Sequence, residues 1–516
     1  MGDQSISSGP APATLTAPEP AQRKPSRLVA FRRWPVYRQY LLVLIILFTA
    51  KQAFNVIVFP PFTGHDEVAH FAYTRIVADE HRIPVIPNLE KWRASWQVRE
   101  TPPGDYFPND LYKYRRYSLD WCCDPIDQPR FATTPPGGMN LGGQLFPNGW
   151  QYAGNHPPMY YALLAPLYAV TDSLSLEGQQ YVLRAAAIPI GILVIVLTYL
   201  MAGLLFPRDR FMMAVAPTFV AFQTQVSYEA AMINNDILLI GMYTVLIYLL
   251  IRGVRQGFTL SSSAVVGLAF GLGLLAKASM LSAAPLIALA ILMGVGIRNV
   301  RRWVAYGIST VLVAGLVCWP WFAFLYRTYG NLSGLKQVKA LQYNWTYRSG
   351  DAPSILDQFW NRKFAELRWR ETWGEFGWRL IHLERWHLWA IGIPLLIMAV
   401  AAVIMLLAGS WNRWTGRISG RLALTREQCL GLWLLVVCCV VAYGAMLQFG
   451  TDFRLTQARY YFNAVSAIAI LLAFGLRQIV PPRFHPAAIV AFLLCMVSAN
   501  LLIYSQHVLP YWYLPS

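Results

Sequence analysis

The sequence predicts an all-α polytopic membrane protein, and three observations lead to this fold class. Hydrophobic residues make up 56% of the 516 residues and charged residues only 13%, about half of the charged fraction that is usual in soluble domains. The apolar residues gather in runs of about 17–25, the length that a helix needs to cross a bilayer. Short connectors between alternate runs are rich in arginine, as is typical of cytoplasmic loops.

The N-terminal region is predicted to be a disordered cytoplasmic tail over residues 1–35, because serine, alanine, proline and threonine dominate it. The apolar run that follows, 36–59, is too long for the core of a cleaved signal peptide and lacks a small-residue cleavage site. We therefore expect a retained first span with the N-terminus in the cytoplasm, in the cytoplasmic (inner) membrane.

A polar segment, 60–156, follows the first span and is predicted to be an external loop. The apolar stretch after it is short and interrupted by prolines, so it is either a span or a helix at the membrane interface. If it does not cross, all five arginine-rich connectors face the cytoplasm, as the positive-inside rule requires. The sequence then predicts about eleven spans and an external C-terminus: 36–59, 182–206, 211–231, 236–252, 261–277, 280–297, 303–325, 386–409, 427–449, 459–479 and 485–507.

The predicted spans divide the chain into modules. A catalytic transmembrane module covers 36–325 and includes the loop 60–156. A second external loop, 326–385, combines tryptophan and arginine at helical spacing, which predicts an interfacial helix. A C-terminal transmembrane module covers 386–516. The net charge of +17 does not indicate nucleic-acid binding, because the cations lie mainly in short loops between spans.

Ionisable residues from distant parts of the chain fall at the predicted outer ends of the spans. Asp66 and Glu67 follow the first span directly, with His65 and His70 beside them. Ionisable groups near membrane depth are costly, so they indicate a functional site. The others at this depth are His156, Glu229, Asp236, Lys277, Arg454 and Arg459, with Lys51 in the outer half of the first span.

This combination of side chains suits glycosyl transfer from a lipid-linked phospho-sugar. Lysine and arginine can hold the donor phosphate through charge-assisted hydrogen bonds. A carboxylate beside the anomeric carbon can accept the proton of the acceptor hydroxyl as general base. The leaving lipid phosphate is already a stable anion, so no strong acid is required, and the same cations stabilise its developing charge.

Several motifs resemble the GT-C membrane glycosyltransferases, in particular the aminoarabinose transferases and the protein O-mannosyltransferases. The resemblance covers about residues 40–300 and 455–480. Two features depart from the family pattern: Ala276 replaces a threonine, and two prolines are missing near Asn463 and Ser466. The motifs are Asp66-Glu67 with Arg75 and Ile83-Pro84-Val85, His156-Pro-Pro-Met-Tyr-Tyr161, Leu274-Leu-Ala-Lys277 and Arg459-Tyr460.

The resemblance implies roles for these residues. Asp66 corresponds to the family's proposed base, and Glu67 remains the alternative base. Asp236 corresponds to a second acid that shapes the site or binds a metal, and Lys277 and Arg459 to contacts with the donor phosphate. The predicted substrate-binding set is Arg75, His156, Tyr160, Asp236, Lys277, Arg459 and Tyr460.

The implied partners are a polyprenyl-phosphate-linked sugar, a lipid or glycan acceptor and membrane lipids. No cofactor is assigned, although the use of a divalent metal ion stays an open alternative. His65, Asp66 and His70 match no zinc spacing, so no metal ligands are predicted. Two other functions stay open: a transporter or flippase of a lipid-linked glycan without transferase activity, and a structural membrane protein. A transporter should carry charges along a path through the bilayer, whereas these charges gather at one face.

Overall fold

The computed structural model describes residues 36–88, 103–117, 139–141, 144–146, 149–341, 347, 350–415, 424–454 and 456–514. The predicted tail, 1–35, lies outside these residues. The described part is a helical polytopic membrane fold, which confirms the predicted class. Its strands are short: β1 (Met139–Leu141) pairs antiparallel with β2 (Gln144–Phe146), and β3 (Ile381–His382) bridges to Glu375 and Phe376.

The α-helices are numbered here in chain order. They are α1 Val36–Val58, α2 Glu67–Glu80, α3 Met159–Ala169, α4 Leu176–Ala185, α5 Ile188–Leu205, α6 Arg210–Phe222, α7 Thr224–Glu229, α8 Asn235–Gln256, α9 Leu260–Ala276, α10 Ala284–Val295, α11 Val300–Tyr329, α12 Leu335–Leu341, α13 Ile355–Trp360, α14 Arg362–Trp373, α15 Phe376–Arg379, α16 Arg385–Trp414, α17 Arg426–Asp452, α18 Val465–Ile479, α19 His485–Ile503 and α20 Leu509–Tyr513.

Nine helical stretches in the described residues are long and apolar enough to cross a membrane. The other two of the eleven predicted spans fall on shorter apolar helices, α6 with 13 residues and α9 with 17. The stretch predicted to lie at the interface is α3, with 11 residues. That length is below the roughly 20 residues that a perpendicular span needs.

Two predicted spans are interrupted in the structure. The predicted span 182–206 contains the end of α4 and, after a break ahead of Pro189, all of α5. The predicted span 211–231 divides at Gln223, which leaves the helical conformation and caps α7 by accepting a hydrogen bond from Val226 N at 2.5 Å. These breaks place polar side chains, including Glu229 at the end of α7, inside the bundle.

Small residues allow close packing of the long helices. A Cβ atom on Gly475 of α18 would lie 1.8 Å from the carbonyl oxygen of Met398 on α16. A Cβ atom on Gly267 of α9 would lie 2.4 Å from the carbonyl oxygen of Thr310 on α11. Both positions therefore require glycine, in the way that small residues bring membrane helices together.

The polar segment after the first span forms a second hydrophobic core on one end of the bundle. In the parts of it that are described, Phe62, Phe71, Phe107 and Trp150 are buried together with residues of α2 and α3. This core fixes the N-terminal end of α2 against the ends of the long helices. The predicted division into modules stays a prediction.

Candidate active site

Asp66 lies between α1 and α2 and has both carboxylate oxygens in contact with other side chains. The Tyr152 hydroxyl donates to Oδ1, and Nη2 of Arg459 donates to Oδ2 in an ion pair. The backbone of Asp66 is left-handed, with φ 57° and ψ 14°. Such a conformation is uncommon outside glycine, asparagine and aspartate. The carboxylate is thus held in one orientation at the start of α2.

Two further charged residues extend this ion pair into a row of four linked side chains, Asp66, Arg459, Asp236 and Lys277, called the charged chain below. Nη1 of Arg459 lies 3.4 Å from Oδ2 of Asp236, and Lys277 forms an ion pair with Oδ1 of Asp236. Arg459 and Asp236 are almost fully buried, whereas Lys277 keeps 15% of its side chain exposed. The structure therefore brings together four predicted site residues from four separate regions of the sequence.

Helix ends determine the placement of these charges. Asp236 lies in the first turn of α8, whose N-cap Asn234 accepts a hydrogen bond from Asp236 N at 2.8 Å. Lys277 is the C-cap of α9. Acids at helix N-termini and bases at C-termini both interact favourably with the helix dipole. Arg459 lies in the first turn of a 3-10 helix, Ala458–Ala464.

Arg459 has unused hydrogen-bonding capacity. Its Nε and Nη1 atoms are buried and make no hydrogen bond with any described residue. Buried polar atoms are nearly always hydrogen-bonded in folded proteins. These two donors, next to the ammonium of Lys277, are therefore suited to an anionic ligand.

Three aromatic side chains surround the charged chain. The ring centre of Tyr460 lies 5.6 Å from Nζ of Lys277 and 5.4 Å from Cζ of Arg459, both within cation–π range. The Tyr160 hydroxyl accepts a hydrogen bond from Asn234 N at 3.0 Å and so supports the start of α8. Nδ1 of His156 lies 3.0 Å from Nδ2 of Asn235.

Burial and charge set the protonation states of the groups outside the spans. Burial raises the pKa of Asp66. The Arg459 guanidinium, together with His70 and the Tyr152 hydrogen bond, lowers it by more than burial raises it, so the net shift of the pKa is downward. Burial, and then the charge of Lys277, lowers the pKa of His156 to about 4. At neutral pH the site therefore holds an ionised Asp66 and an uncharged imidazole at position 156.

Glu67 is fully buried, and both of its oxygens are occupied. Arg184 donates to Oε1 and Oε2, each at 2.7 Å. Oε1 also accepts from Gln180 at 2.8 Å and from Ile233 N at 3.1 Å, and Oε2 accepts from Gly64 N at 3.0 Å. Glu67 thus acts as a fixed anchor in this structure.

Arg184 connects Glu67 to the end of the first span. Its guanidinium is fully buried and also donates to the carbonyl oxygens of Val56, Phe59 and Pro60 at 2.7–3.1 Å. The Arg184–Glu67 pair therefore ties the last turn of α1 to the first turn of α2. Asp66 lies in the segment that this pair holds.

Arg75 lies elsewhere. It forms ion pairs with Asp79 at 3.6 Å and with Asp110 at 2.7 Å, and 31% of its side chain is exposed. No hydrogen bond or ion pair found for Arg75 in the described residues reaches another candidate. Its inclusion in the substrate-binding set stays a prediction that this geometry does not support.

The histidines near Asp66 are engaged separately. Nδ1 of His65 lies 3.1 Å from Glu229, and Nδ1 of His70 lies 2.8 Å from the Tyr161 hydroxyl. Among the described residues, no group of three or more histidine, cysteine, aspartate or glutamate side chains is arranged to hold a metal ion. The set His65, Asp66 and His70 therefore lacks the geometry of a metal site.

Sequence reasoning missed Tyr152 and Arg184. Tyr152 lies in a polar segment with no distinguishing local pattern. Arg184, in contrast, lies inside the predicted span 182–206. A charged side chain within an apolar run is itself a signal of a buried partner, and this signal was available.

Residues 155–323 match a family model described as dolichyl-phosphate-mannose-protein mannosyltransferase. The matched segment contains His156, Asp236 and Lys277, whereas Asp66 and Arg459 lie outside it. Together with the helical polytopic fold, this match confirms the predicted resemblance to GT-C membrane glycosyltransferases. The similarity to a glycosyltransferase family is thus shown over residues 155–323 of the 516.

Two solved structures illustrate what this chain is similar to. One is ArnT from Cupriavidus metallidurans bound to undecaprenyl phosphate, with 16% identity, coverage of 82% of this chain and 72% of that chain, and a TM-score of 0.39. Another is the Archaeoglobus fulgidus oligosaccharyltransferase tethered with an acceptor peptide, with 13% identity, coverage of 92% and 56%, and a TM-score of 0.44. No curated protein matches the sequence.

Proposed function

We propose that this protein transfers a sugar from a polyprenyl-phosphate donor to a hydroxyl group of a lipid or glycan acceptor. The reaction would take place at the outer face of the cytoplasmic membrane, with the N-terminus in the cytoplasm. One observation carries the proposal: Asp66, Arg459, Asp236 and Lys277 form one continuous chain of ion pairs at the ends of several helices, with Arg459 and Asp236 buried and the two end residues partly exposed. The description of the matching family names dolichyl-phosphate-mannose, a lipid-linked sugar, and so supports this class of donor.

The donor phosphate would bind between Lys277 and Arg459. The Nε and Nη1 atoms of Arg459 make no hydrogen bond with any described residue, although Nη1 forms an ion pair with Asp236 at 3.4 Å. These donors and the partly exposed ammonium of Lys277 can form charge-assisted hydrogen bonds to phosphate oxygens. Asp236 lies between Lys277 and Arg459 and holds both in place through its two ion pairs. As the bond from the anomeric carbon to the phosphate oxygen breaks, these cations stabilise the charge on the leaving phosphate.

Asp66 would accept the proton of the acceptor hydroxyl while that oxygen bonds to the anomeric carbon. It is preferred over Glu67, because the oxygens of Glu67 are saturated by Arg184 and its neighbours. Arg459 contacts both Asp66 and, in this proposal, the phosphate. Phosphate binding would therefore weaken the hold of Arg459 on Asp66 and raise the pKa of Asp66 toward that of a better base.

Replacing Lys277 by alanine is expected to weaken the binding of undecaprenyl phosphate by about tenfold or more, the value of one charge-assisted contact. Titration of the purified protein by native mass spectrometry measures this affinity. Lys339→Ala is the matched control, because Lys339 forms a half-exposed ion pair with Asp452 and touches none of the site residues. Equal affinity of the Lys277 and Lys339 variants would remove Lys277 from the phosphate site.

The pH profile tests the coupling of Asp66 to Arg459. Because the pKa of Asp66 is lowered, the carboxylate stays ionised as the pH falls from 7 to 5, so no acid limb in kcat/KM from Asp66 is expected in that range. In Arg459→Gln the burial remains while the neighbouring charge is lost, so the pKa of Asp66 rises and an acid limb appears.

The control for this experiment is Arg454→Gln. Arg454 is exposed, lies over the ring of Tyr347 at 5.1 Å, and should leave the profile unchanged. A profile of Arg459→Gln that differs from the original protein only in height, and not in shape, would show that Arg459 does not set the pKa of Asp66.

A further inference from the structure

A long apolar groove lies apart from the charged chain. Its volume is about 850 Å³, and its walls are α14, α16, α18 and the 3-10 helix Ala458–Ala464, with Phe219 of α6 and Gln223 after that helix. The lining is mostly apolar and aromatic and includes Trp369, Trp373, Leu388, Trp389, Phe462 and Leu472.

The groove is somewhat longer along α16 than one leaflet of hydrocarbon is thick. The positions of α16 that line it run from Arg385 to Ala399, which corresponds to about 21 Å at 1.5 Å per residue. One leaflet of hydrocarbon is about 15 Å thick. A groove of this length is therefore long enough to take the acyl chain of one lipid across the depth of a single leaflet.

The mouth of the groove is basic. Arg362 and Arg385 are exposed there, and neither forms a hydrogen bond or ion pair with another described residue. Arg370 also lines the groove but is paired with the buried Glu375 at 2.7 Å. Glu366 adds one negative charge. Two unpaired arginines against one glutamate leave a site that attracts an anionic headgroup.

The groove is separated from the charged chain by the 3-10 helix Ala458–Ala464. Arg459 and Tyr460 of this helix contact Asp66 and Lys277. The following residue, Tyr461, instead lines the groove, and its hydroxyl lies 2.9 Å from Oγ1 of Thr372. A lipid in the groove is thus a different molecule from one whose phosphate lies at Lys277.

We propose that this groove binds one phospholipid with an anionic headgroup. Its acyl chain would lie along α16, and its phosphate would contact Arg362 and Arg385. The lipid would hold α14 against the bundle. The other face of α14 carries Glu371, which accepts a hydrogen bond from Ala458 N at 2.8 Å, directly before Arg459. Lipid binding therefore supports the position of Arg459.

Variants of the groove provide the test, with lipid binding measured by native mass spectrometry of the detergent-purified protein. Ala399→Phe places a bulky ring inside the groove, while Val400→Phe places the same ring on the exposed side of α16 outside it. We expect Ala399→Phe to lose the bound phosphatidylglycerol and Val400→Phe to retain it. Equal binding by both variants would overturn the proposal.

The headgroup contact is tested with Arg362→Gln combined with Arg385→Gln. This variant should bind phosphatidylglycerol about tenfold more weakly or worse, as expected for a lost charge-assisted contact. The loss should be smaller for phosphatidylcholine, because its choline cation offsets the charge of its phosphate. Lys363→Gln, beside Arg362 but outside the groove, is the control. A protein that binds both lipids equally before substitution would refute the preference for an anionic headgroup.

The other candidate occupant of the groove is the donor lipid, and undecaprenyl phosphate is the probe for it. We expect it to bind in addition to phosphatidylglycerol and to bind the Ala399→Phe variant normally. If it displaces phosphatidylglycerol, and Ala399→Phe abolishes its binding, the groove belongs to the donor and the proposal is wrong. These measurements need no turnover, so their outcome is independent of the proposed transferase activity.

Discussion

Replacing Asp66 by asparagine is expected to lower the turnover number about 10²–10⁴-fold, the usual contribution of a positioned general base. Asparagine keeps the shape of the side chain and tolerates the left-handed backbone found at this position. The substitution therefore removes the proton acceptor without backbone strain. Transfer of the sugar from a polyprenyl-phosphate donor, measured together with donor affinity, separates loss of the base from loss of binding.

Asp79→Asn is the matched control, because Asp79 is on α2, the helix that begins directly after Asp66, is 53% exposed and lies away from the charged chain. It should turn over normally. Unaltered turnover of Asp66→Asn would eliminate Asp66 as the base. The same variant addresses the flippase alternative: a protein that only moves a lipid-linked glycan should keep moving it without this carboxylate, and should show no transfer before substitution either.

Replacing Arg184 by methionine is expected to destabilise the protein by about 3–5 kcal/mol, the cost of leaving a buried charge without its partner. The loss should be large because Glu67 is fully buried and would lose the charged partner of its carboxylate. The carbonyl oxygens of Val56, Phe59 and Pro60 would lose a donor as well. Unfolding in mixed detergent micelles with increasing dodecyl sulfate measures the change.

Lys113→Met is the control for this prediction. Lys113 pairs with Glu177 at 2.6 Å, but 54% of its side chain is exposed, and exposed pairs contribute about 0–1 kcal/mol. The double variant Glu67→Gln with Arg184→Met should regain part of the lost stability, since no unpaired charge then remains. A single Arg184 variant as stable as Lys113→Met would disprove the anchoring role of the pair.

The sequence alone determined the class of fold and the approximate helices. Apolar runs of spanning length dictate transmembrane helices, because the lipid core requires every backbone polar group to be bonded within the segment. Nine such helices in the described residues agree with this reasoning. The break at Gln223 was not predicted, since the side chain that permits it donates to the carbonyl oxygen of Thr372, 149 residues away. The residues next to Gln223 in the sequence do not indicate a hydrogen-bond partner so far along the chain.

Part of the candidate site was likewise predictable from the sequence, and part was not. Positive-inside counting placed Asp66, Asp236, Lys277 and Arg459 at one depth, and all four do form one chain. Charge and span length are properties of the sequence, so the depth of a side chain can be read from it. The direction of a side chain depends on the rotation and packing of helices, which only tertiary contacts fix. For that reason the structure alone showed Glu67 to be saturated by Arg184 and Arg75 to lie apart from the chain.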